Sequence, residues 1–263
     1  MGRSDVGRPG GAAGTPTRTV LGMRVDGGTY ESSVERIVGW AAQHRPRYVC
    51  VANVHMTMVA HDAPDFMATV NSADMVTSDG MPLVFMLKRL GLPEAERVYG
   101  PTLTLHVCEA AAAQGVPVGF YGGTPEAVAG LRAELARRFP GLDVRYSYSP
   151  PFRELTAEED NQVVEGIVAS GVRILFVGLG CPKQERWMAA HKDRLPLVQL
   201  GVGAAFAFHA GQVKQAPAWM QARGLEWLFR LAVEPRRLWK RYLYNNPRFL
   251  VLAAMQLVGL RRF

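Results

Sequence analysis

Short apolar runs rich in β-branched residues recur along the chain, and most are followed by a glycine or polar turn and then by apolar positions at helical spacing. The pattern predicts strands over 48–52, 74–77, 118–121, 144–148, 174–177 and 197–202, and a short strand over 19–24. Helices are predicted over 30–44, 102–114 and 157–170, around Phe66, Met67 and Val70, and after Asn53, Pro82, Thr124 and Pro182. Alternation of strands and helices over 48–208 implies an α/β fold, a Rossmann-like and mainly parallel sheet with helices on both faces.

The clearest junction is 174–188, ILFVGLGCPKQERWM, where an apolar strand stops at Gly178 and Gly180 and Pro182 opens a helix. Glycines let backbone approach a ligand closely, and the first turn of a helix presents unpaired N–H groups and the positive end of its dipole. Lys183, Gln184 and Glu185 lie on that turn and would point at a nucleotide or sugar phosphate docked there. Gly122 and Gly123, ahead of Thr124 as N-cap, repeat the design, and Gly203 ends a third cluster. A plain tight turn is the competing reading of each stretch alone, but several on one sheet favour a nucleotide crevice.

Asn53, His55, Asp79 and Gly80 fall at the carboxyl ends of two other predicted strands, on the side where open α/β sheets bind ligands. His55 also fits a hydrogen-bonded structural role. Asp79 suits either an N-cap or a general base, the latter requiring a nucleophile within hydrogen-bond reach.

The ends differ from the middle. Residues 1–18 are Gly, Pro, Ser and Arg with hardly any large apolar side chain, so a disordered leader is expected there, without the apolar core of a secretory signal. From Lys214 to Phe263 there are ten Lys/Arg and two acids, a surplus of +8 within a whole-chain charge of +7, which leaves −1 for the rest. This segment, 214–263, reads as a basic helical appendage to a domain over 19–213, and it holds three of the five tryptophans. Arg230, Arg236, Arg237, Lys240 and Arg241 alternate there with Trp and Tyr, as in helices that lie on anionic lipid. Packing against a second copy is the competing reading, giving a possible homo-oligomer. No helix-turn-helix, RNP or zinc-finger pattern points to nucleic acid. The last apolar run, 249–260, falls short of the roughly 20 residues that a spanning helix needs.

Overall composition adds little: 263 residues, 48% hydrophobic and 20% charged, suit a globular protein with a sizeable core. Cys50, Cys108 and Cys181 lie far apart, without the spacing of a disulfide framework or a zinc site.

Taken together, these blocks resemble the WecG/TagA/CpsF glycosyltransferases. The resemblance rests on Asn53 in VANVHM, Asp74 with Ser78-Asp79-Gly80, Arg97 with Gly100, Phe120 to Gly123, Gly178 to Glu185, Gly201 to Gly203, and GLEWLFRL with EPRRLWKRYL in the tail. It implies an inverting transfer of a hexose-type sugar from a UDP-sugar to a polyprenyl-diphosphate-linked saccharide, in cell-surface polysaccharide or teichoic acid synthesis. The sugar would be N-acetylmannosamine, its uronic acid, glucose or glucuronate. Asp79 matches the family's proposed base, Arg97 an arginine near phosphates or acceptor, Gln184 and Glu185 a donor-pocket block, and the tail arginines an appendage that docks on the membrane. No metal or other cofactor is implied, and the site of action would be the inner face of the bacterial membrane.

The chain departs from the family pattern where members often have Thr, Asp, Asp and Arg and this sequence has Val51, Thr102, Ala207 and Gln215. Those changes point away from N-acetylmannosamine toward another hexose, or toward a non-catalytic nucleotide-sugar-binding module that recruits a membrane assembly. A dinucleotide oxidoreductase is a weaker rival, because Lys183 stands where a dinucleotide fingerprint needs its third glycine.

Overall fold

The computed structural model describes residues 15–263. The expected leader lies outside the described residues as far as position 14, and its last two positions already belong to a strand. Where one strand was predicted over 19–24 there is an antiparallel hairpin, β1 (Thr17–Val20) and β2 (Met23–Asp26). Its turn is made by Leu21 and Gly22 at positive φ, and the Leu21 side chain is fully buried, so the turn carries an apolar residue where turn chemistry is usually polar.

The remaining strands are β3 (Arg47–Ala52), β4 (Met75–Ser78), β5 (Val118–Gly122), β6 (Val144–Tyr148), β7 (Ile174–Gly178) and β8 (Val198–Gly201). They form one sheet in the order β4-β3-β8-β7-β5-β6, and all its ladders are parallel. The helices that connect them are α1 (Tyr30–Ala42), α2 (Val54–Asp62), α3 (Pro64–Asn71), α4 (Met81–Arg89), α5 (Gly100–Gln114), α6 (Pro125–Arg138), α7 (Ala157–Ala169), α8 (Lys183–His191) and the short α9 (Ala205–His209). Several carry local start signals: Thr29 closes a capping box with Ser32 on α1, Thr156 does so with Glu159 on α7, and Pro125 follows the Thr124 cap of α6.

Pleating divides the strands between two cores. Tyr48, Cys50, Ala52, Leu175 and Val177 pack with α2, α3, α4, α7, α8 and the hairpin. Val49, Val51, Ile174, Phe176 and Leu200 face α1, α5, α6 and α9. Both faces are therefore covered, which is why these strands read as continuous apolar runs.

The tail forms α10 (Ala218–Ala222), α11 (Glu226–Val233) and α12 (Pro235–Leu257). The last of these runs through Pro247, so the apolar stretch over 249–260 is the end of a longer helix. Phe249 and Ala253 are buried against the first core, and α12 lies along α2. Arg248 forks onto both carboxylate oxygens of Asp62 at 2.7 and 2.8 Å, and the Gln256 side chain accepts from Leu21 N–H at 3.0 Å and donates to Thr19 O at 2.7 Å. The tail helices thus cover the carboxyl ends of β3 and β4.

Candidate active site

A cavity of about 600 Å³ opens between those strand ends and the tail. Asn53, the residue after β3, caps α2: its side-chain oxygen accepts from the N–H groups of His55 (3.1 Å) and Met56 (3.3 Å). Its amide nitrogen lies 3.5 Å from the Asp79 carboxylate.

Asp79 follows β4, and its main-chain N–H is anchored on Ala52 O at 2.8 Å. Asp79 does not cap the helix that follows it; Gly80 holds that position. Its carboxylate instead accepts the Gly100 N–H at 3.0 Å, at the start of α5, where the helix dipole favours an anion. Burial raises the Asp79 pKa above the ordinary carboxylate value, the positive charge of Arg97 and the Gly100 bond oppose the rise, and the charge of Glu226 adds to it. Such a carboxylate is a stronger base than one in water.

Arg97 is held at both ends of its guanidinium. Its Nε donates to Asp79 O at 2.6 Å and an Nη donates to Glu226 of α11 at 2.5 Å, while the Tyr99 ring lies 4.4 Å beneath. Across the cavity, Asn245 of α12 stands 3.1 Å from His55 Nδ1 and donates to it, which leaves the ring proton on Nε2. Burial, helped by the charge of Arg241, lowers the His55 pKa to about 4, so the imidazole is a neutral donor near neutral pH.

Arg230 and Arg241 also line the cavity, and each has a buried Nε with no hydrogen-bond partner among the described residues. Burial pulls the Arg241 pKa down, yet an arginine stays charged over any working pH. Arg230 also pairs with Glu234 at 3.8 Å, whereas no ion pair to Arg241 occurs among the described residues, and cationic donors of this kind beside a cavity are suited to an anionic guest. The outer wall is apolar, with Met81, Trp227, Leu231, Trp239 and Leu250.

The cavity therefore gathers Asn53, His55, Asp79, Gly80, Arg97, Arg230 and Arg241. Other predicted site residues lie outside its lining. Gly122 and Gly178 serve close packing: a Cβ on Gly122 would come within 2.6 Å of the Gly178 backbone, and one on Gly178 within 2.9 Å of the Phe206 ring. Gly123 donates to Gly178 O at 3.0 Å, joining the two turns. Gln184 and Glu185 turn inward: Gln184 accepts from Gly180 N–H at 3.1 Å and donates to Glu185 at 2.7 Å, and Gly203 lies against its amide. Of that first turn only Lys183 is exposed.

Burial raises the Glu185 pKa to about 7. Arg236 and Lys240 are exposed, and Arg237 pairs with Glu234 at 2.6 Å. Thr102 and Gln215 line a separate polar cavity of about 390 Å³ with Glu134, Arg138 and His209, so two of the departures from the family pattern lie away from Asp79. No cluster of three or more His, Cys, Asp or Glu side chains with metal-holding geometry occurs among the described residues. Sequence reasoning missed Glu226, Asn245 and Tyr99. The available signal was that Glu226 is one of only two acids in a basic tail.

Two comparisons bear on this site. Over 202 residues the chain is 30% identical to a Bacillus spizizenii protein named N-acetylglucosaminyldiphosphoundecaprenol N-acetyl-beta-D-mannosaminyltransferase, an alignment that covers 76% of each. The profile of the glycosyl transferase WecG/TagA/CpsF family matches residues 18–263, which include the strand ends, the cavity and the tail helices. The chain is a glycosyltransferase and belongs to the WecG/TagA/CpsF family.

Proposed function

We propose that the protein transfers a hexose-type sugar with inversion from a UDP-sugar to a saccharide carried on a polyprenyl diphosphate, at a membrane surface, in the synthesis of a cell-surface polymer. The observation that carries this reading is a buried carboxylate, Asp79, in a cavity that also holds the arginines Arg230 and Arg241 and an apolar, aromatic outer wall. Asp79 takes the proton of the acceptor hydroxyl as its oxygen bonds to the anomeric carbon. On the opposite face the bond from that carbon to the diphosphate oxygen breaks, and UDP leaves with the electron pair. Arg230 and Arg241 offer charge to diphosphate oxygens, and His55 offers a neutral N–H. The apolar wall of Trp227, Trp239 and Leu250 suits the first units of a prenyl chain. The similar Bacillus spizizenii protein is named for an acceptor of this class, and the departures at Val51, Thr102, Ala207 and Gln215 leave its sugar one member of a panel.

The test is UDP release by the purified protein from UDP-N-acetylmannosamine, its uronic acid, UDP-glucose and UDP-glucuronate, with and without a short-chain prenyl-diphosphate-linked N-acetylglucosamine. Acceptor-dependent release from one donor supports the reading. Binding of a UDP-sugar with no turnover on any acceptor would replace it with the recruitment-module alternative.

A further inference from the structure

Glu226 is an acid on the second helix of a basic tail, yet it is buried. Its carboxylate meets the Arg97 guanidinium at 2.5 Å and the Tyr99 side chain, both on the stretch that leads into α5. Arg97 in turn holds the main-chain carbonyl of Asp79 at 2.6 Å, and the Asp79 carboxylate holds the first N–H of α5. One unbroken path of polar contacts thus runs from α11 through Arg97 to Asp79.

We propose that Glu226 is a positioning residue: from the tail helices it sets Arg97 and Asp79 in their working arrangement. The inference rests on the glycosyl-transfer reading and names a residue that acts through the base and the arginine.

Electrostatics gives the Glu226 contact a direction. The groups facing Asp79 are Arg97 and Tyr99 from the segment before α5, Glu226 from α11, Asn53 at the start of α2 and Tyr30 of α1. His55 and Arg241 line the same cavity. Arg97 alone would weaken Asp79 as a base. Glu226 neutralises part of that charge and adds its own repulsion, and the seated tail keeps water away. All three effects favour proton uptake by Asp79. Without the Glu226 carboxylate, Arg97 loses its second anchor and is free to turn onto the Asp79 carboxylate, which opposes proton uptake.

The test compares Glu226→Gln and Glu226→Ala with wild type and with Glu165→Gln, an exposed α7 acid that controls for the loss of one charge. In substrate-free protein, 13C NMR follows the Asp79 carboxyl titration and 15N NMR follows exchange of the Arg97 Nε–H. Glu226→Gln is expected to move the Asp79 titration to lower pH, and Glu226→Ala to speed Nε–H exchange at least tenfold. In turnover, the acid limb of kcat/KM moves the same way in Glu226→Gln, and kcat falls more than donor KM rises. An Asp79 titration and an Arg97 exchange rate that match wild type in both variants would overturn the proposal. So would loss of the folded tail in both variants, seen as tryptic cleavage within 223–248, while the Asp79 titration stays in place. If the NMR changes appear but wild type transfers no sugar, the positioning role stands and the glycosyl-transfer reading fails.

Discussion

Glu185 shows how far a side chain's chemistry can depart from what its position in the chain suggests. It is fully buried, one carboxylate oxygen has no hydrogen-bond partner among the described residues, and its pKa stands at about 7 against an ordinary 4.5. The folded state therefore holds this proton more tightly than the unfolded state does. The stability that this contributes is complete below the ordinary value and is lost as pH rises through about 7. Replacing it with Gln keeps the shape and removes the charge. Glu185→Gln should raise thermal stability at alkaline pH by up to about 3 kcal/mol and leave it little changed in mild acid, checked by calorimetry across the range. A variant less stable at both ends would contradict the burial argument. The first turn of α8 was legible as a helix start, but the inward turn of Gln184 and Glu185 was not. It depends on Gln184 hooking back to Gly180, and helical spacing does not encode that hook. Asp79 is a similar case, because the partner that makes it more than a turn residue is Gly100 N–H, brought close by the fold.

Among the elements, those buried on both faces were the easiest to read. The strands β3, β5 and β7 were predicted to within one residue, because both cores draw on each strand in turn, and the edge strand β6, which has no fully buried residue, matches its predicted bounds as well. The β1–β2 hairpin was missed because its turn is Leu-Gly, with the Leu held inside the first core. The tail reads as helical from sequence, and α12 runs on through Pro247, where packing of Phe249 and Ala253 carries the helix past a residue that usually ends one. These two elements meet at Gln256. Gln256→Ala leaves the buried Leu21 without its N–H acceptor, and a cost of about 1–3 kcal/mol is expected. Hydrogen exchange should show faster opening of the hairpin and the last turns of α12 together. Faster exchange in one element alone would separate them.

At the scale of the molecule, the charge split read from sequence lies over the site. The face of the tail helices turned from the core exposes Trp219, Trp227, Trp239, Leu243, Tyr244 and Leu250, beside exposed Arg236 and Lys240. No helix of the described residues is long and apolar enough to cross a membrane. Such a face predicts binding to vesicles with anionic lipid, with a blue shift of tryptophan emission, that weakens as salt rises. Equal binding to zwitterionic vesicles would assign the face to apolar contact alone. What sequence left open was the meeting of this tail with Asp79, since the Arg97–Glu226 and His55–Asn245 contacts join residues far apart in the chain.

The most direct measurement of the whole account is acceptor-dependent sugar transfer by wild type and Asp79→Asn, each with donor binding followed in parallel. The account predicts that Asp79→Asn binds the UDP-sugar as wild type does and loses about 10²–10⁴-fold in kcat. It also predicts that the wild-type rate falls in acid with a midpoint above the ordinary Asp value, as burial of Asp79 requires. Transfer by Asp79→Asn at close to the wild-type rate, with the same acid limb, would contradict it and remove Asp79 from the chemistry.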